Sequence, residues 1–111
     1  MINKKIKIIT TSWDDGHKLD LKLAKILQKY NIKGTFCISP NNREWNKKDL
    51  LSDKEIKQLS QDFEIGAHTM THPLLTKISE RDAIQEIRDS KIFLEKLIRK
   101  NKNVLLSKRS I

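Results

Sequence analysis

The chain opens on a short β-branched run, Ile6, Ile8, Ile9, Thr10 and Thr11, and residues 5–12 read as a β-strand. The apolar period then changes. Leu19, Leu23, Ile26, Leu27 and Tyr30 recur at helical spacing and predict an α-helix with these residues on its inward face. Asn31 suits its C-terminal cap. Residues 34–38 form a second strand-like run, closed by the turn-forming Ser39, Pro40, Asn41 and Asn42. A polar loop over residues 43–50 carries Trp45. Ser52 and Glu55 are spaced as a capping box, with Leu51 and Ile56 at the staple positions, so a helix is expected from residue 53 to about 61. Residues 63–67 predict a third strand. Ser79, with Asp82 three residues on, caps a last long helix with a buried stripe of Ala83, Ile84, Ile87, Leu94, Leu97 and Ile98. Beyond residue 100 lies a basic tail, 101–111, with at most a short strand at 104–106.

Strands alternating with helices predict βαβ units, hence an α/β fold on a parallel sheet. Active sites of such sheets lie at the C-terminal ends of the strands. Two segments that carry chemistry fall there. Asp14, Asp15 and Gly16 follow the first strand, where glycine permits a sharp turn, and His68 and His72 follow the third.

One carboxylate and two histidines form a ligand set for a divalent transition metal that leaves coordination positions open. Two histidines so close together are poor core residues, because each buried ring nitrogen needs a partner. A single aspartate after a strand is well explained as a turn residue or a helix N-cap. Two adjacent carboxylates repel each other unless a cation sits nearby. A metal held by Asp15 leaves Asp14 ionised as a base towards water, the arrangement of metal-assisted hydrolysis. Thr69 and Thr71 are placed to fix the histidine loop by local hydrogen bonds, or are simply turn residues. His17 is expected to open the first helix. Trp13 is expected to pack beneath the turn. Trp45 reads as a loop anchor or as a platform for a ligand.

Composition narrows the class. With 111 residues the chain has the size of one small domain, and with 37% hydrophobic but only 5% aromatic residues its core must be aliphatic. The formal net charge of +9 raises nucleic acid as a partner, but the lysines are scattered along helices and loops, which is the pattern of solvated faces. No run approaches the ~20 apolar residues of a membrane span. Lys7 interrupts the opening isoleucines, so no secretion signal is visible; Cys37 stands alone, a small buried residue with no disulfide partner. Together these lead to the expectation of a cytoplasmic protein.

The two motifs, in this order, resemble those of the polysaccharide deacetylase family, also called the NodB-homology or carbohydrate esterase family 4 domain. That family's first motif is Thr-Phe-Asp-Asp-Gly, where this chain has Ser12, Trp13, Asp14, Asp15 and Gly16. Its second is His-Ser/Thr-x-x-His, where this chain has His68, Thr69, Met70, Thr71 and His72. Lys33, Gly34, Thr35 and Phe36, and Glu64, Ile65, Gly66 and Ala67, are similar too, so that the resemblance covers roughly residues 6–100.

The resemblance implies a distorted TIM-like (β/α) barrel. It implies zinc, or cobalt, nickel or iron in its place, held by Asp15, His68 and His72. It implies Asp14 as general base, Gly16 and Thr69 in support, a carbohydrate substrate, and hydrolysis of an N-acetyl or O-acetyl group. The family's later motifs supply an arginine that orients the base, an aromatic-proline wall, an oxyanion donor and a late histidine acid. None is recognisable after Lys100, and no histidine follows His72. A barrel of this kind takes ~200 residues or more. The expectation is therefore a single partial domain with its core over residues 5–100, truncated or one half of a split enzyme. A second chain would then supply the missing half, and three parallel strands would leave an open sheet edge. The other readings are a metal-binding fragment without turnover and a small basic nucleic-acid-binding protein.

Overall fold

The structure is a computed structural model that describes residues 5–98 and 105–106. Four strands, β1 (Thr11–Asp15), β2 (Gly34–Ile38), β3 (Glu64–Ala67) and β4 (Leu105–Leu106), form one sheet in that order, every neighbouring pair parallel. The helices α1 (Asp20–Lys29), α2 (Asp53–Ser60) and α3 (Glu80–Ile98) connect them. The parallel α/β architecture expected from the alternating pattern is the one observed. The short strand anticipated near the end of the chain pairs Leu105 and Leu106 with Gly66 and Ala67, so β3 is not an edge over those residues. Val104 and the rest of the tail lie outside the described residues.

Local sequence sets the helix ends. At α2, Ser52 Oγ accepts the Glu55 N–H at 3.2 Å and Glu55 Oε1 accepts the Ser52 N–H at 2.9 Å, the reciprocal capping box. The staple residues Leu51 and Ile56 are both buried. Helix α1 ends in a Schellman turn: Ile32 N–H reaches Leu27 C=O at 2.8 Å and Asn31 N–H reaches Gln28 C=O at 3.0 Å. Asn31 takes the left-handed conformation this requires, with φ 55°. Ser79 Oγ accepts the Asp82 N–H at 3.1 Å at the start of α3.

The core joins the helices to one face of the sheet through Leu27, Phe36, Ile38, Ile56, Leu59, Phe63, Ile65, Leu94 and Ile98. Phe36 and Phe63 meet edge to face with centroids 5.2 Å apart. Cys37 is buried, as expected.

Three expectations are corrected. The first strand is not residues 5–12. Pairing begins at Thr11 opposite Gly34, because β2 starts there, and among the described residues Ile6, Ile8 and Ile9 have no partner strand and are about four-fifths exposed. Asp14 and Asp15 therefore close the strand itself instead of following it. In α1, Leu19, Ile26 and Tyr30 are exposed, and the buried face is Asp20, Ala24 and Leu27. In α3, Ile84 is exposed and Ser90 is fully buried, so the inward stripe runs through Ser90, Leu94 and Ile98. In both helices a polar residue, Asp20 or Ser90, is buried outside the apolar set that the spacing picked out.

Candidate metal centre

Asp15 is the last residue of β1, and His68 follows directly on β3, so the two motifs meet at the C-terminal edge of the sheet. Two hydrogen bonds continue the ladder past the strands and tie the motifs to β2: His68 N–H to Ile38 C=O at 3.1 Å and Ser39 N–H to Asp15 C=O at 3.3 Å. The chain then turns sharply in both segments. Asp15 and Gly16 have φ 87° and 85°, and Thr69 and His72 have φ 68° and 63°. Left-handed backbone costs a residue with a Cβ of order 1 kcal/mol or more, and such strain gathers at functional sites. At Gly16 space is short as well, since a Cβ would stand 2.9 Å from Ile38 Cγ2. The glycine that the sequence marks for the turn is thus required twice over.

These turns bring three side chains together. Asp15 Oδ1 lies 3.4 Å from His68 Nε2 and 3.1 Å from His72 Nε2. One ligand atom from each of the three residues lies within 4.8 Å of the others. Donor atoms bound at ~2.0–2.1 Å to one zinc-like ion stand about 2.9–3.4 Å apart at octahedral to tetrahedral angles, so the observed separations fit a shared cation. His72 Nδ1 is 3.1 Å from Glu44 Oε1, close but not aligned as a hydrogen bond. A carboxylate only accepts, so it favours the N–H on Nδ1 and leaves the Nε2 lone pair facing the Asp15 oxygen. A divalent ion placed between them would accept a lone pair from each.

The histidine loop is held from several sides. Ser39 Oγ and Thr69 Oγ1 both donate to the His68 carbonyl at 2.5 Å, and Thr69 Oγ1 accepts the His72 N–H at 3.2 Å. Glu86, from α3, accepts the N–H groups of Met70 and Thr71, each at 2.9 Å, and the Thr71 hydroxyl at 2.5 Å. Sequence reasoning missed Glu86. The available signal was an acidic residue directly before Ile87 of the expected apolar stripe.

Asp14 precedes Asp15 on β1. The left-handed Asp15 breaks the strict alternation of a strand, and both carboxylates act on a third, Asp20, at the start of α1. Burial first, then the charges of Asp15 and Asp14, push Asp20 up from 3.8 to about 6. Asp20 also went unnoticed in the sequence, although it shares a helical face with Ala24 and Leu27. His17 stands apart from the ligand cluster: its Nδ1 accepts the Leu19 N–H at 3.0 Å, opening α1 as expected. Trp13 packs against the core and donates from Nε1 to Thr11 Oγ1 at 3.0 Å.

Comparison with known proteins agrees with this geometry. The polysaccharide deacetylase family profile matches residues 2–107, and the chain belongs to that family. It is 29% identical over 93 residues to the peptidoglycan-N-acetylmuramic acid deacetylase PdaC of Bacillus subtilis, a match covering 82% of this chain and 19% of that protein. The deacetylase PplD of Streptococcus pyogenes, solved in complex with acetate, superposes with a TM-score of 0.76 at 27% identity, covering 94% of this chain and 46% of that one. PdaA of Bacillus subtilis, a family 4 carbohydrate esterase, gives 0.68 at 25% identity over 90% of this chain and 42% of its own. The chain thus corresponds to part of the deacetylase fold and spans less than half the length of these relatives.

Two outcomes are expected. Glu86→Ala should weaken zinc affinity about 10- to 100-fold, as loss of a group that orients ligands does, while Glu86→Gln, which keeps one acceptor, should retain most of it. Competition with a chromophoric chelator measures this, and equal affinity in Glu86→Ala would remove Glu86 from the support of the site. The second concerns Asp20. Its folded pKa of about 6 lies above the ordinary 3.8 of an unfolded aspartate, so its stabilising contribution is whole below about pH 3.8 and is lost as pH rises through about 6. In chelator, Asp20→Asn should therefore be more stable than the parent at pH 7 and equal to it near pH 4. Urea midpoints across that range decide it, and parallel curves would show that Asp20 carries no such penalty.

Proposed function

We propose that this chain forms the metal-holding part of a hydrolase that removes acetyl groups from an N-acetylated, or O-acetylated, polysaccharide or amino sugar. Asp15, His68 and His72 would hold a divalent ion, with zinc preferred among zinc, cobalt, nickel and iron because the set is small, mixed in nitrogen and oxygen, and open. The observation that carries this reading is the single Asp15 oxygen facing two imidazole nitrogens at 3.1 and 3.4 Å. Family membership and the names of its relatives, which act on peptidoglycan sugars or carry carbohydrate esterase activity, support the choice of substrate class.

When bound, such an ion supplies Lewis acidity towards a carbonyl oxygen and makes water more acidic. The chain's own residues do the rest. Asp14 takes the proton from the attacking water as its oxygen adds to the acetamide carbon. The carbon–nitrogen bond then breaks as the proton held by Asp14, or one from a general acid beyond these residues, passes to the leaving nitrogen; the product acid loses its proton to solvent, and acetate and a free amino sugar result. Glu44 keeps His72 in the tautomer that offers Nε2, and Glu86 with Thr69 keeps the loop in register. Gly16 gives Asp15 its turn.

An orienting arginine, an oxyanion donor and a late histidine acid complete such a site in the resemblance, and these 111 residues contain no histidine after His72. We place those groups in a further segment, in the same polypeptide or a second one, so that this part works as one partial domain. Losing the oxyanion donor alone costs ~10²–10³ in rate. The second reading follows from the same fact: a metal-binding fragment with no turnover of its own. Among the described residues no helix is long and apolar enough to cross a membrane, and a cytoplasmic location stays part of the proposal, resting on the lone cysteine. Nucleic acid, raised by charge alone, gains nothing from the site.

Substitution at the ligands separates these readings. Asp15→Ala and His68→Ala should abolish zinc binding in calorimetry. Asp14→Asn should bind zinc like the parent and release acetate from N-acetylglucosamine oligomers at least ~10²-fold more slowly. Full zinc binding without any acetate release by the parent would select the fragment; DNA binding that survives all three substitutions and weakens with salt would select the basic binder.

A further inference from the structure

The connection over residues 43–50 joins β2 to α2, and it is strapped to the site at both ends. On one side, Asn41 N–H reaches Met70 C=O at 2.8 Å and Arg43 N–H reaches Thr71 C=O at 3.1 Å, binding it to the histidine loop. On the other, Lys18 N–H reaches Asp49 C=O at 2.7 Å, Leu51 N–H reaches Gly16 C=O at 3.0 Å, and His17 bridges Leu50, binding it to the aspartate turn. Asn42 Oδ1 accepts the Glu44 N–H at 2.9 Å and fixes the turn between the straps. A polar loop of this length would ordinarily move, but this one is tied to both motifs that supply metal ligands.

Two side chains sit next to each other between the straps. Glu44 touches His72 through Nδ1 at 3.1 Å. Trp45 meets the ring of His17 edge to face, with centroids 4.9 Å apart and planes at 81°. His17 follows the Asp15–Gly16 turn directly, so this ring contact ties Trp45 to the aspartate turn. The indole nevertheless remains 43% exposed. An indole half in water, on a loop tied to both motifs that supply the proposed ligands, can offer its face to a ligand.

We propose that Trp45 is the platform on which a pyranose ring of the substrate stacks, laying its C–H face on the indole while its acetyl group faces Asp15, His68 and His72. The proposal deepens the function proposed above and rests on it: the ligand class is a neutral N-acetylated sugar, which offers an apolar ring face and no charge. Stacking of this kind needs little ordering, because the indole is already fixed by His17, and its loss should cost about tenfold or more in affinity.

The test uses the full chain loaded with zinc and carrying Asp14→Asn, so that bound sugar is not consumed. A tetramer of N-acetylglucosamine is titrated by calorimetry into this protein and into the same protein with Trp45→Ala or Trp45→Phe. Trp45→Ala should weaken binding at least about tenfold, Trp45→Phe should restore part of it, and zinc affinity should be unchanged in both. Because the chain has two tryptophans, Trp13→Phe leaves Trp45 as the single indole, and its fluorescence should change on titration with the sugar. Unaltered sugar affinity in Trp45→Ala, or fluorescence indifferent to bound sugar, overturns the platform and leaves the deacetylase reading intact. Absence of sugar binding by the zinc-loaded parent overturns both, and loss of zinc in Trp45→Ala would make the indole a structural part of the metal site.

Discussion

One carboxylate oxygen facing two imidazole nitrogens is the constraint around which this chain is arranged. Asp15 Oδ1 stands 3.1 and 3.4 Å from the Nε2 atoms of His72 and His68, and the Glu44 carboxylate beside His72 Nδ1 biases that ring to point its lone pair at the same oxygen. A cation lying between them would interact favourably with all three. The surrounding structure supplies what such an arrangement requires: a parallel sheet that places two motifs at one edge, and turns tight enough to aim their side chains inward.

The turns show where folding energy is given up for geometry. Asp15, Thr69 and His72 all sit in left-handed backbone, and all belong to the two motifs. Strain of this kind persists only when neighbours over-determine it. Here the neighbours are specific: Ser39 and Thr69 on the His68 carbonyl, Glu86 on the Met70 and Thr71 amides, and the loop over residues 43–50 strapped to both motifs. Asp20 adds a second cost, a buried carboxyl beside two others, raised to about 6. A bound cation next to Asp15 would relieve the charges that contribute to that rise, which couples occupancy of the site to stability of the fold.

Much of this was legible in the sequence, and the limits have physical reasons. The capping box of Ser52 and Glu55, the Asn31 cap and the Gly16 turn are local, so spacing alone reveals them. The alternation of periods gave the parallel sheet, and the paired motifs gave the family. The opening strand was misplaced because Ile6, Ile8 and Ile9 have β propensity but, among the described residues, no partner strand; register is set by β2, which begins at Gly34. The stripes of α1 and α3 were partly misassigned because Asp20 and Ser90 are buried while Leu19, Ile26, Tyr30 and Ile84 are exposed. Glu86 and Glu44 stayed hidden because their partners are set by tertiary contact: the loop Glu86 holds lies 15 or 16 residues earlier in the chain.

The chain covers less than half the length of the deacetylases it resembles, yet it contains every proposed ligand of the ion. In the proposed reading, metal binding and turnover are separable: the ion would be held by these residues, and turnover would call on groups beyond them. Zinc K-edge X-ray absorption on the loaded chain tests that division most directly. Two imidazole nitrogens and carboxylate oxygen at ~2.0–2.2 Å, with the imidazole scattering halved in His68→Ala, are the predicted result. A shell of oxygen alone, unchanged by that substitution, would contradict it.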